Sequence, residues 1–341
     1  MTFFRWAVPL TARRSSSLLI RIDPYHAVIT GAVDFSADLR YPLIKRYTMR
    51  LFLLSMILLF LLTLPVFQAE CSITVEADQL SVAVTPVLIE RSIDVNERLI
   101  RYIGEKMHMP IRIVQRKSYQ EINDLMRKRE VDIAFICSLS YIVGKETSGM
   151  ELLVLPKSQG QPLYHSYVIV SRSSYAKSIE DLKGQLYAYP DPLSNSGYLY
   201  PRYRLAKAGY DPDGFFKKWI ITHSHSSSIE AVNDGFVRGA SVDSYIYDVM
   251  SILNPELTKN TKIIETSPAF GFPPVVVRKG LPDEVKRRLR MVFLQMDKDP
   301  VGQKVLQGML LDGFVQGDDS LFDSVRKMHV FINKGPSKVA E

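Results

Sequence analysis

The chain has only two cysteines and two tryptophans among its 341 residues. Cys71 and Cys137 cannot build a disulfide framework, and a bridge between them is not expected because Cys71 falls in a processing region. The sequence has no Walker-type phosphate loop, no Gly-x-Ser-x-Gly elbow and no paired His/Cys spacing for zinc. These gaps argue against P-loop, α/β-hydrolase and zinc chemistry. His225 followed by Ser226 to Ser228 lacks an orienting acid in register, so it makes no triad. Basic residues are nowhere dense enough to suggest nucleic acid. The formal charge is +7, yet from residue 71 onward 35 Lys and Arg stand against 32 Asp and Glu. Arg127-Lys128-Arg129 and Lys286-Arg287-Arg288 read as solvated helix faces.

The one long hydrophobic run is Leu51 to Leu64, behind Met49-Arg50 and ahead of Pro65. About fourteen residues is short for a spanning helix and suits the core of an export signal. Residues 49–71 are therefore expected to be a signal peptide or a membrane anchor. Cleavage near Cys71, lipidation of Cys71 and retention as an anchor all stay open. Residues 1–48 carry seven Lys/Arg against three Asp/Glu and no sustained periodicity. They read as a non-native upstream extension, with Met49 the true initiator. The remaining chain is ample for two lobes.

Beyond residue 78, strand and helix patterns alternate. Leu80–Val84 reads as a strand, Ile93–Met107 as a helix with Leu99, Ile100 and Ile103 on one face, and Ile111–Val114 as a strand. Tyr119–Lys128 reads as a helix with Ile122, Leu125 and Met126 inward, and Val131–Ile136 as an apolar strand. Short apolar strands between helices imply an α/β fold with a mainly parallel, covered sheet. Extended segments near 161–166 and 268–277 bracket a further α/β block. The expected organisation is thus two lobes with an interleaved chain, 78–164 plus 270–334 and 167–265. A single larger doubly wound domain is the alternative. Ligands of such folds sit at the carboxyl ends of strands, in the cleft.

Three strand-to-helix turns share one composition: Ile136-Cys137-Ser138-Leu139-Ser140-Tyr141, Ser194-Asn195-Ser196-Gly197, and His223-Ser224-His225-Ser226-Ser227-Ser228. Helix starts carry unpaired N–H groups, and hydroxyls add donors to them. Converging on one cleft, the three would form a donor-rich cage for a small oxyanion. Each serine also has the ordinary reading of a helix cap. Gly197 is expected to let the backbone approach a ligand closely.

Asp191-Pro192-x-Ser194-x-Ser196-Gly197, then His225-x-x-x-Ile229-x-Ala231-Val232-x-x-Gly235, then Val242-Asp243-Ser244 resembles the periplasmic phosphate/phosphite/phosphonate-type substrate-binding proteins of ABC transporters. Tyr119 before a helix, Val131-Asp132-Ile133-Ala134-Phe135 and Pro273-Pro274-Val275-Val276-Val277 extend the likeness to residues 79–332. The resemblance implies a type II two-lobe periplasmic binding protein, without catalysis or cofactor. It implies that Ser194, Asn195, Ser196 and His225 hold the oxyanion, that Tyr119 and Tyr164 close over it, and that Asp243 lies at the cleft floor. Ser138, from the first of the three turns, completes the candidate set. The implied partner is a membrane permease, the implied location the periplasm and the implied state a monomer. A periplasmic sensor of an oxyanion or arsenite, acting on a membrane histidine kinase, is the alternative. Departures from the pattern (Asn195, Ser226, Arg238) and the lack of an acid in Phe270–Val277 favour phosphate, phosphite or a short phosphonate over an aminophosphonate. Cys137 is a small hydrophobe or a soft ligand, depending on whether it reaches the cleft.

Overall fold

The computed structural model describes residues 79–85 and 93–334. The upstream extension, the export signal and Cys71 lie outside the described residues. The described part falls within one compact unit.

The first sheet grows around β1 (Leu80–Val84), five buried residues flanked in parallel by β2 (Ile111–Gln115) and β3 (Ile133–Phe135). Helix α1 (Ile93–Met107) connects β1 to β2 and buries Leu99, Ile100 and Ile103, as the 3.6-residue period predicts. Helix α2 (Tyr119–Lys128) connects β2 to β3. Ser118 starts it with a reciprocal capping box to Glu121, and Arg129 ends it in the left-handed region. The expected strand Val131–Ile136 pairs only over Ile133–Phe135. Asp132 is polar and works as a clamp: its carboxylate accepts from Ser81 and from Arg278 Nε at 2.8 Å. Helix α3 (Ser138–Ser148) and strand β4 (Glu151–Lys157) complete the first pass.

The chain then crosses through β5 (Leu163–Tyr164) and builds a second sheet. Its elements are β6 (Ser166–Ser171), β7 (Leu186–Tyr189), α4 (Tyr200–Lys207), β8 (Lys218–Ile221), α5 (His225–Asn233), β9 (Gly239–Asp243), α6 (Ser244–Leu253) and β10 (Thr261–Thr266). It returns through β11 (Phe270–Gly271), which pairs antiparallel with β5, so the two crossings form one short ribbon. Strand β12 (Val275–Val277), helices α7 (Asp283–Leu294) and α8 (Pro300–Met309), and strand β13 (Gly313–Val315) rejoin the first sheet. Helix α9 (Asp323–Lys334) ends the described chain. It packs against both α3 and α4, with Phe331 on Tyr203 at 5.2 Å between ring centres.

The strand orders are β13-β4-β12-β3-β1-β2 and β10-β6-β9-β7-β8. The sheets are mixed rather than mainly parallel: β12 runs against β3 and β4, β13 against β4, and β6 against β9 and β10. The cause is geometric. A strand that feeds a cleft-side helix must end at the cleft, whereas a strand entered from a crossing must begin there. β1 and β3 do the first, β6 and β12 the second.

Candidate functional site

The central element is the turn after β7. Ser194 is extended, and its Oγ accepts from the Gly197 N–H at 2.9 Å, so it is a true N-cap. Asn195–Leu199 then form a widened, π-type turn that runs directly into α4. Such insertions concentrate at functional sites. Ser166 Oγ fixes the turn from β6 by donating to the Ser196 carbonyl at 2.6 Å. Gly197 is required for a different reason than a ligand's approach. A Cβ there would stand 2.1 Å from Pro190 Cγ, so the glycine lets the turn fold onto its own strand end.

His225 is the first residue of α5, which begins earlier than the serine run suggests, with Ser224 as its cap. Its Nδ1 accepts from the Asp243 backbone N–H at 3.0 Å. That bond places the ring proton on Nε2, 3.5 Å from Ser194 Oγ. Burial pushes the imidazole down to about 3, so it is a neutral donor. With the proton on Nε2 and a backbone amide on Nδ1, His225 cannot serve as a base toward Ser194. Asp243 ends β9 and caps α6, its Oδ1 accepting from Tyr245 N–H at 2.9 Å and Ile246 N–H at 3.3 Å. Burial pushes its carboxyl up to about 7.

The first half meets this cluster directly. Asn195 N–H donates to Cys137 Sγ at 3.1 Å, and Asn195 Nδ2 donates to Tyr164 OH at 3.0 Å. Tyr119 N–H donates to Asp191 Oδ2 at 3.2 Å, while Asp191 Oδ1 accepts from Leu193 N–H. A cavity of about 30 Å³ lies between the halves, bordered by Thr85, Tyr119, Ile136, Asp243, Tyr245 and Phe272. A second space of about 10 Å³ adjoins Thr85 and Tyr119 on the side of Asp191 and His225. Ser194, Asn195, Ser196, Ser138 and Tyr164 border neither space.

The eight residues singled out from the sequence are all buried at the junction of the halves. The three hydroxyl-rich turns do not contribute equally, however. Ser138 Oγ donates to the Gly271 carbonyl at 2.8 Å, Ser140 bonds Asn123, and Tyr141 bonds Asp319. Ser228 bonds Thr222. These helices start inside their serine runs, so most hydroxyls turn into their own half. What remains unpaired in the buried cluster is Asn195 Oδ1 and Ser196 Oγ. Thr85 and Asp191 also border these spaces, and neither is among the eight, although Asp191 opens the motif that contains Ser194. The signal for Asp191 was its place at a strand's carboxyl end between Pro190 and Pro192.

Residues 82–322 match the family described as ABC transporter, phosphonate, periplasmic substrate-binding protein. The chain belongs to this family. Its members are binding components of transporters, not enzymes. The phosphonates-binding periplasmic protein of Escherichia coli is 28% identical over 219 residues, 62% of this chain and 64% of that protein. The chain therefore spans a little under two thirds of that relative's length. The binding-protein component of a phosphonate ABC transporter from Pseudomonas aeruginosa has a TM-score of 0.70 at 25% identity, covering 75% of this chain and 87% of that one. A Prochlorococcus marinus protein solved with methylphosphonate has the same fold, with a TM-score of 0.68 at 18% identity, over 75% of this chain and 99% of that one. The phosphonate-binding family is thus a type II periplasmic binding fold in this chain too.

Proposed function

We propose that this phosphonate-family protein is the solute-binding component of an ABC importer and captures a small phosphorus oxyanion: phosphate, phosphite or a short phosphonate. The ligand lies between a lobe of residues 78–164 plus 270–334 and a lobe of residues 167–265, which close about the β5/β11 ribbon. The observation that carries this reading is the buried, incompletely paired cluster at Ser194, Asn195, Ser196 and His225. Unpaired polar groups in a dry interior are costly, and an oxyanion can accept from the Ser196 hydroxyl and, with the Asn195 amide turned over, from its Nδ2. The His225 Nε2–H adds a neutral donor without a charge that water would compete for. A permease in the membrane recognises the closed form, and the protein works in the periplasm after export.

The aromatic and aliphatic lining beside Asp243 favours a compact ligand with a short substituent. The Asp243 carboxyl and the ligand must share a hydrogen, because a bare carboxylate repels a dianion. A thermal-unfolding panel on the chain with phosphate, phosphite, methylphosphonate, aminoethylphosphonate, sulfate and arsenite tests the reading. A ligand at a hundred times its dissociation constant adds about 2.7 kcal/mol of stability. Stabilisation by a phosphorus oxyanion but not by sulfate is the expected result. Stabilisation by none of the phosphorus compounds would overturn it.

A further inference from the structure

Cys137 occupies the N-cap position of α3 yet gives that helix no side-chain cap bond. Its sulfur reaches Asn195 N of the other half at 3.1 Å, and lies 3.9 Å from Tyr164 OH of its own half. Asn195 N–H is the first amide of the turn that starts α4, where an anion's oxygen is best received. Gly197 N–H is taken by Ser194 Oγ, and the N–H groups of Tyr198 and Leu199 by the Ser194 carbonyl. A thiol is a weak acceptor, and burial pushes this one up to about 11, so it stays neutral. The same turn holds Asn195 Oδ1 and Ser196 Oγ fully buried without partners. Rotating the Asn195 amide by half a turn lets Tyr164 OH donate to Oδ1. It also leaves the Nδ2 hydrogens as buried donors that require an acceptor.

We propose that Cys137 is a specificity- and affinity-setting residue of the binding site. Its thiol accepts the Asn195 N–H that a ligand oxygen would take, and the ligand displaces it. This rests on the oxyanion-binding reading above. An oxyanion oxygen is the stronger acceptor, so the exchange favours binding, but it must first break the sulfur contact. Removing the sulfur costs the ligand-free protein this hydrogen bond and leaves the bound protein unharmed. Affinity therefore rises when the side chain is shortened.

The test compares wild type, Cys137→Ala and Cys137→Ser, measuring dissociation constants for phosphate, phosphite and methylphosphonate and the melting temperature without ligand. Cys137→Ala is expected to bind about three- to tenfold more tightly, the worth of one modest hydrogen bond, while its empty form melts lower. Cys137→Ser keeps a compact acceptor facing the amide and is expected to bind less tightly than Cys137→Ala. A cysteine that merely fills space would lower the melting temperature and leave affinity unchanged or weaker, and either result overturns the proposal. If wild type binds none of the three probes, the functional reading fails and this inference with it. If wild type binds and Cys137→Ala binds no more tightly, only this inference fails.

Discussion

The two halves that face the cleft are built from different chemistry. The first presents Phe135, Ile136, Phe272, Pro273 and Phe314, with Thr85 and Tyr119 as its polar members on the cavity. The second contributes Ser194, Asn195, Ser196, His225 and Asp243, almost fully buried, with His225 hydrogen-bonded to Ser194 and to the Asp243 amide. The difference divides the labour. On the proposed reading, the second half supplies donors, and the first half excludes water so that those donors act in a low dielectric, where each bond is stronger. Cys137 and Tyr164 are the exceptions in the first half, because they touch the donor turn itself.

The strongest way to break this comparison is to disarm the second half. Ser194→Ala and His225→Ala are each expected to cost at least tenfold in ligand affinity, about 1.5–3 kcal/mol for a charge-assisted bond, by calorimetric titration. Tyr119→Phe, on the apolar side, is expected to stay within about threefold; an equal loss there would dissolve the distinction. Next is Gly197→Ala. Its Cβ would collide with Pro190, so chemical unfolding is expected to show a loss of about 1–3 kcal/mol, with weaker ligand binding as the turn shifts.

The acid–base pair of the second half gives a pH signature. Asp243 is raised in the fold to about 7, so it contributes stability at low pH that is lost as pH rises toward 7. His225 is lowered to about 3, so it costs stability at low pH and the cost disappears as pH rises from about 3 to its ordinary range. The two slopes oppose each other across the same window, each limited to about 1.4 kcal/mol per pH unit. Relative to wild type, Asp243→Asn should gain stability with rising pH between 4 and 6, and His225→Gln should lose it, each followed by urea unfolding. Parallel curves for all three would show that neither group titrates as its burial demands. The smallest expected effect is at the bridge between halves. Asp191→Asn keeps an acceptor for Tyr119 N–H but removes the charge, and is expected to change affinity by about threefold.

The regular elements were largely readable. α1 and α2 fall where their apolar periods place them, and the capping box at Ser118 marks the start of α2. β4 was not readable, because both its faces are packed and Pro156 breaks its pattern. Nor was α9, whose partners are helices from distant parts of the chain. The buried polar cluster at the junction of the halves was readable by type, since hydroxyls at strand-to-helix turns are uncommon enough to attract notice. Which hydroxyls face the cleft was not, because Ser138, Ser140 and Ser228 are turned inward by groups remote in sequence or by a helix that begins earlier than expected.

The sequence alone determined what is local: the amphipathic helices, their caps, the donor-rich turns and the family to which their spacing belongs. The tertiary structure alone decided which of those groups meet. The proton on His225 Nε2 depends on a backbone amide from β9, and Asn195 finds Cys137 and Tyr164 only when the two halves come together. Direction decided the rest, for a strand entering from a crossing must begin at the cleft, and no residue within that strand records it.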